Sequence, residues 1–288
     1  MSTRQLARRR APMSEVAYYA TGTLLAVAFL FPLLYIAFRS LLPANADATG
    51  IGLDSIADLT ARNYAAVFAP EVGLVRYAGN SLIVAVGTAV TVAVVSTLAG
   101  YALTRYPTRV TSAVFVLILT PLVVPFQGLL TPLALVLDRL SLLNSLPGLI
   151  LVLSTFQLPL GVFVMRNTFA AIPVELEEAA QIDGASVRTT LTRVIIPLSW
   201  PGLVTVSLFG FMTGWNDLLT SVVFLVDQSK YTLPIVLTSL STTVEFGVPI
   251  VHAGLLTATA CVATAPVVIL FLALQRHYTR GLIAGALK

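Results

Sequence analysis

Charge is scarce in this 288-residue chain: Asp, Glu, Lys and Arg together make up 10%, where a soluble domain carries about 25%. A water-soluble globular fold is therefore excluded. With 57% hydrophobic residues, the chain reads as an integral membrane protein. Cysteine is almost missing. The single Cys261 allows no intrachain disulfide and no thiolate cluster, and in its run of Ala, Thr and Val it reads as a small packing residue. Histidine is limited to His252 and His277, both at the edges of apolar runs, where an interfacial role fits better than metal ligation. No G-x-x-x-x-G-K-[ST] phosphate loop and no H-E-x-x-H zinc motif occurs, which removes the commonest nucleotide and zinc-hydrolase signatures. The 17 basic residues outnumber the 13 acidic ones, but they sit in the flanks of apolar runs, so membrane topology accounts for them and nucleic-acid binding does not.

What is present is a series of apolar runs of spanning length. Six spans are expected, at about 17–38, 81–103, from 111 onward, 147–164, 198–225 and 253–274. Pro32 kinks the first in this reading, and Pro121, Pro125 and Pro132 break or bend the third. Ala44-Asn45-Ala46 has the form of a signal-peptidase site, yet the preceding run of roughly 22 residues exceeds the usual 7–15-residue signal core and favours an uncleaved span. The domain reading is a basic tail over 1–16, with Arg4, Arg8, Arg9 and Arg10, followed by one membrane domain over 17–288. Six spans place both termini on one side. That side holds 12 of the Lys and Arg residues against 5 on the other, so the positive-inside rule puts both termini in the cytoplasm.

One long polar stretch interrupts the second half. Over residues 172–202, Pro173 followed by Glu175, Glu177 and Glu178 predicts a helix start, because the positive end of the helix dipole favours carboxylates. Gly184 predicts its end and a tight turn, since glycine enters the left-handed region without the penalty of a side chain. Asp183 or Ser186 then caps a second helix bearing Arg188 and Arg193, which runs to Pro197 and back into the membrane. Between Ile172 and Gly184 there are four acids and no base. An anionic leaflet repels such a surface. Protein docking is the better expectation, with Ala179 and Ala180 providing a small-residue face and a carboxylate at Glu178 available for a hydrogen bond or ion pair.

Glu178-Ala179-Ala180, three residues, Gly184, nine residues and Val194-x-Ile196-Pro197 resemble the coupling-loop signature of permease subunits in binding-protein-dependent ABC importers. Asp183 before Gly184 fits that pattern, and Ile196 stands where Leu is common. More widely the chain resembles the shorter permease of maltose-transporter-type sugar importers, through Arg62-Asn63-Tyr64, Asn80-Ser81, Pro121 and Pro125, Leu143-Asn144, Trp215-Asn216-Asp217 and Arg280-Gly281-Leu282. The resemblance implies an all-α polytopic bundle of six spans with a cytoplasmic helix-turn-helix coupling loop at about 169–197, in a bacterial or archaeal cell (inner) membrane. It implies as partners a second related permease, two copies of an ATP-binding subunit, an extracytoplasmic solute-binding protein and membrane lipid. ATP and Mg belong to the partner ATPase, with no cofactor on this chain and no catalytic or metal residues. The solute is a carbohydrate or a related polyol or glycerol derivative, and Glu178, Ala179, Ala180, Asp183, Gly184 and Pro197 are the ATPase-coupling residues.

Residues that contact solute are left unassigned. Gln127, Gln157 and Asn216 are polar groups in spans and either face a solute or bond neighbouring helices. Asp217 is an acid late in a span and so a functional candidate, but at roughly 28 Å from Leu198 along the helix it falls near the outer interface, where anchoring or contact with the solute-binding protein is expected; Trp215 suits an aromatic belt. The alternative from another class is an ion-gradient-driven secondary transporter, and a membrane scaffold is a second rival. Against the former stand the near absence of charge in the spans and of an inverted repeat.

Overall fold

The computed structural model describes residues 12–43, 59–69, 73–241, 243–245, 248–250 and 253–286. The basic residues 4–10, the motif at 44–46 and His252 lie outside these, as does the side chain of His277. The chain divides into two compact units, Met1–Val67 with Leu240–Val262 and Phe68–Ser239 with Ala263–Lys288.

In the first unit, helix α1 (Pro12–Ser40) has Glu15 in its first turn and Arg39 in its last, each at the helix end whose partial charge it complements. Helix α2 (Arg62–Val67) follows. Buried Asn63 donates to the Ser40 and Leu42 carbonyls at 2.8 and 2.6 Å, and the Tyr64 and Ser40 hydroxyls lie 2.8 Å apart. The bond to Ser40 satisfies a carbonyl that the end of α1 leaves open. Strands β1 (Thr243–Glu245) and β2 (Val248–Ile250) pair antiparallel, a short ribbon in a stretch whose sequence predicts only a loop.

The second unit is built on α3 (Leu74–Arg105), α6 (Leu146–Ala170) and α10 (Trp200–Asn216). Lipid offers no hydrophobic driving force between helices, so close packing depends on small residues. A Cβ on Gly210 would fall 2.8 Å from the Ala89 Cα, and one on Gly214 2.7 Å from the Ala85 Cα, which ties α10 against α3. One end of this core holds Val92, Tyr101, Met165, Phe169, Ile195 and Val206; the other holds Val84, Leu137, Leu149, Val152 and Phe224.

Prolines break the third run as expected. Helix α4 (Arg109–Leu119), capped by Thr108, gives way to 3-10 turns at Thr120–Leu122 and Phe126–Leu129 before α5 (Leu130–Arg139), with a bend of 92°. Among the described residues, four helices are long and apolar enough to cross a membrane, or up to six if each of two bent pairs counts as one span.

The run expected at 198–225 is not one helix. Helix α10 stops at Asn216 and α11 (Leu219–Phe224) begins after it, because Asp217 turns its carboxylate to the next segment, accepting from the Ser221 N–H and hydroxyl at 2.8 Å each. The expectation of one continuous run is thus corrected at Asp217, whose carboxylate ties the start of α11. Trp215 is also corrected: it is 5% exposed, stacks on Phe211 and donates its indole N–H to the Ala263 carbonyl at 3.2 Å, so it is core and no belt residue. Gln157 accepts from the Thr213 hydroxyl at 3.0 Å and joins α6 to α10, whereas Asn216 donates to the Met212 carbonyl within its own helix.

Candidate functional site

Helix α7 (Glu175–Ile182) starts two residues after Pro173, with three acids in its first turn. Neighbouring residues on an α-helix point about 100° apart, so Glu177 and Glu178 cannot face the same way. Glu177 turns inward and is 4% exposed. Its Oε2 accepts from the Tyr101 hydroxyl at 2.9 Å and its Oε1 from Arg105 Nε in an ion pair. Arg105 also donates from Nη2 to the Ile172 carbonyl at 3.1 Å. Tyr101 is held edge-on against Phe169, ring centres 5.8 Å apart. The pair is consistent with both dipoles, since Arg105 lies in the last turn of α3 and Glu177 in the first turn of α7.

Glu178 is on the exposed side with Glu175, Leu176 and Ala179, while Ala180 is half-buried. The two alanines therefore do not form one open face. Ile182 is 86% exposed, and Val174 and Val187 are exposed too, which gives this acidic segment an apolar component that its charge alone conceals. At the end of α7, Gly184 takes φ +81°; its N–H donates to the Gln181 carbonyl and the Ala185 N–H to the Ala180 carbonyl, the two bonds of a Schellman motif. A Cβ at 184 would meet nothing within 4 Å. Glycine is needed there for the backbone angle alone.

Of the two capping candidates, Ser186 accepts from the Thr189 N–H and Asp183 only ends α7. Helix α8 (Val187–Thr190) widens into a five-residue π turn, Leu191–Ile195, before α9 (Ile196–Leu198). Pro197 lacks an N–H and its ring would clash with the carbonyl four residues back; the wider turn just before it relieves that conflict. The segment Val187–Leu198 meets α10 at 79°. Glu178, Ala179, Asp183 and Gly184 are thus together on one exposed segment, and Pro197 stands apart beyond the π turn. Tyr101, Arg105 and Glu177 escape the sequence reading, although a basic residue closing a span and two adjacent acids opening a helix were the signal for them.

A second cluster lies at the other end of α3. Asn80 donates to the Ser229 and Tyr231 carbonyls at 3.0 and 2.9 Å. Asn144, at φ +54°, accepts from the Val226 and Asp227 N–H groups at 3.1 Å each, and its carbonyl accepts from Lys230 Nζ at 2.8 Å. The Ser229 N–H, followed by the nearby Lys230 charge, holds the exposed Asp227 carboxyl below its usual value.

Residues 92–284 match the family described as the binding-protein-dependent transport system inner membrane component. The chain belongs to this family. It is a multi-pass inner-membrane transport subunit, and an ion-gradient-driven transporter is not favoured. It is similar to the trehalose transport system permease protein SugB of Mycobacterium tuberculosis, 32% identical over 280 residues that cover 95% of this chain and 98% of that one. It is also similar to the diacetylchitobiose uptake system permease protein DasC of Streptomyces coelicolor, 35% identical over 212 residues, 74% of this chain and 75% of that one. In fold it matches a chain from the crystal structure of a bacterial ABC transporter involved in the import of the acidic polysaccharide alginate, with a TM-score of 0.80, 22% identity and coverage of 94% of this chain and 98% of that one.

Proposed function

We propose that this chain is one of two related permease subunits of an ATP-driven carbohydrate importer, and that α7 with the turn after it docks on a separate ATPase that holds ATP and Mg. The observation that carries this reading is the division between neighbours: Glu177 is tied inward while Glu178 lies exposed beside Leu176 and Ala179. A projecting face that combines a carboxylate with open aliphatic side chains suits a protein groove better than water or an anionic leaflet. The names of the trehalose and diacetylchitobiose permeases support a carbohydrate, delivered by an extracytoplasmic binding protein. The placement of Lys and Arg supports six spans with both termini and α7 in the cytoplasm.

The test is to co-express the chain with its genomic neighbours, purify it through an affinity tag and compare it with Glu178→Lys. An ATPase subunit is expected to follow the wild type and to be lost from the variant. An ATPase retained by both removes Glu178 from the docking contacts; none in either overturns the importer.

A further inference from the structure

We infer that Tyr101, Arg105 and Glu177 form a strut that carries displacement of α7 into α3, which makes Arg105 and Glu177 positioning residues of the transport cycle. This rests on the reading that α7 docks on an ATPase. Both oxygens of the Glu177 carboxylate are taken by donors from one turn of α3, Tyr101 and Arg105, and Arg105 additionally grips the Ile172 carbonyl ahead of α7. The first turn of α7 and the chain leading into it are therefore fixed to the same end of α3. The covalent route from α7 toward α10 is far less direct. It passes the Gly184 turn, a π turn and a 79° bend, each a place where a push is absorbed by rotation. The non-covalent route has no such joint: α3 continues unbroken from Arg105 back to Leu74, and the backbones of Gly210 and Gly214 lie against it. At its far end Asn80 holds the loop at Ser229 and Tyr231.

The test uses the complex assembled with its ATPase in nanodiscs, with Mg-ATP and vanadate as the probe and hydrogen exchange of residues 225–233 as the readout. In the wild type the probe is expected to change exchange there by about threefold or more, a local-opening effect. Arg105→Gln and Glu177→Gln are expected to keep the ATPase and its hydrolysis while losing that change, and the reversed pair Arg105→Glu with Glu177→Arg to restore at least part of it. A full change in either single variant overturns the strut. So does loss of the ATPase from the single variants, which would make the cluster a support for the docking surface and nothing more. Should the single variants fail to fold, Tyr101→Phe removes one of the bonds to Glu177 and keeps the ion pair; a reduced change supports the strut and an undiminished one overturns it. A wild type that brings down no ATPase fails at the earlier step, and so separates failure of the importer from failure of the strut.

Discussion

The two ends of α3 are secured by different chemistry. Asn80 and Arg105 are roughly 38 Å apart along the helix at 1.5 Å per residue. The first end is held mainly by neutral amides on backbone groups, Asn80 to the Ser229 and Tyr231 carbonyls and Asn144 to the Val226 and Asp227 N–H groups, with Lys230 adding one charged donor to the Asn144 carbonyl. The second is held by a buried ion pair, Arg105 with Glu177, and a phenol hydrogen bond. Neutral bonds are modest and local, each contributing about 1 kcal/mol net. A buried pair is asymmetric: it contributes little relative to a well-packed apolar replacement, but losing one partner leaves a charge without compensation. An amide clamp therefore suits a loop that must keep its shape, and an ion pair suits a joint that must not come apart.

The contrast is sharpest if each end is broken in turn. Arg105→Met strands the Glu177 carboxylate and is expected to cost on the order of 3–5 kcal/mol, read as a lowered unfolding midpoint of the purified chain. Asn144→Ala removes two accepted N–H bonds and replaces an asparagine, which tolerates the left-handed region, by an alanine, which does not, for about 2–4 kcal/mol; hydrogen exchange at Val226 and Asp227 should rise, and Asn144→Gly should recover the backbone part alone. Gly184→Ala meets open space, so only the left-handed penalty of about 1–2 kcal/mol applies; a larger loss would show that the turn is packed against something. The smallest effect is in pH. Because the folded Asp227 carboxyl lies below its usual value, its contribution is present above about pH 4 and fades as pH falls through the folded value. The Gln228–Lys230 turn should loosen only in strong acid, which the Ser229 amide resonance would report.

Local rules made much of this legible. The start of α7 after Pro173, its end at Gly184 and the proline break of the third run each follow from one or two residues and their backbone preferences. Side-chain direction was harder. Glu177 and Glu178 are chemically identical and equally suited to a helix start, and what separates them is Arg105, 72 residues away. The same holds for Asn80 and Asn144, whose partners lie 149 and 82 residues on. Trp215 misled for a related reason: composition places an aromatic near an interface, and only tertiary contacts reveal a buried indole.

The π turn at Leu191–Ile195 carries one residue more than an α-helical path of the same length would need. It acts as a phase adjuster. At about 100° of rotation per α-helical residue, an extra residue carried in an unbroken α-helix would turn everything before it, Gly184 included, by that angle relative to Pro197; the wider i+5 turn takes the residue up and spares that rotation. Deleting Thr192 is therefore expected to let the segment close into an ordinary helix with α7 still presenting the same side to its surroundings.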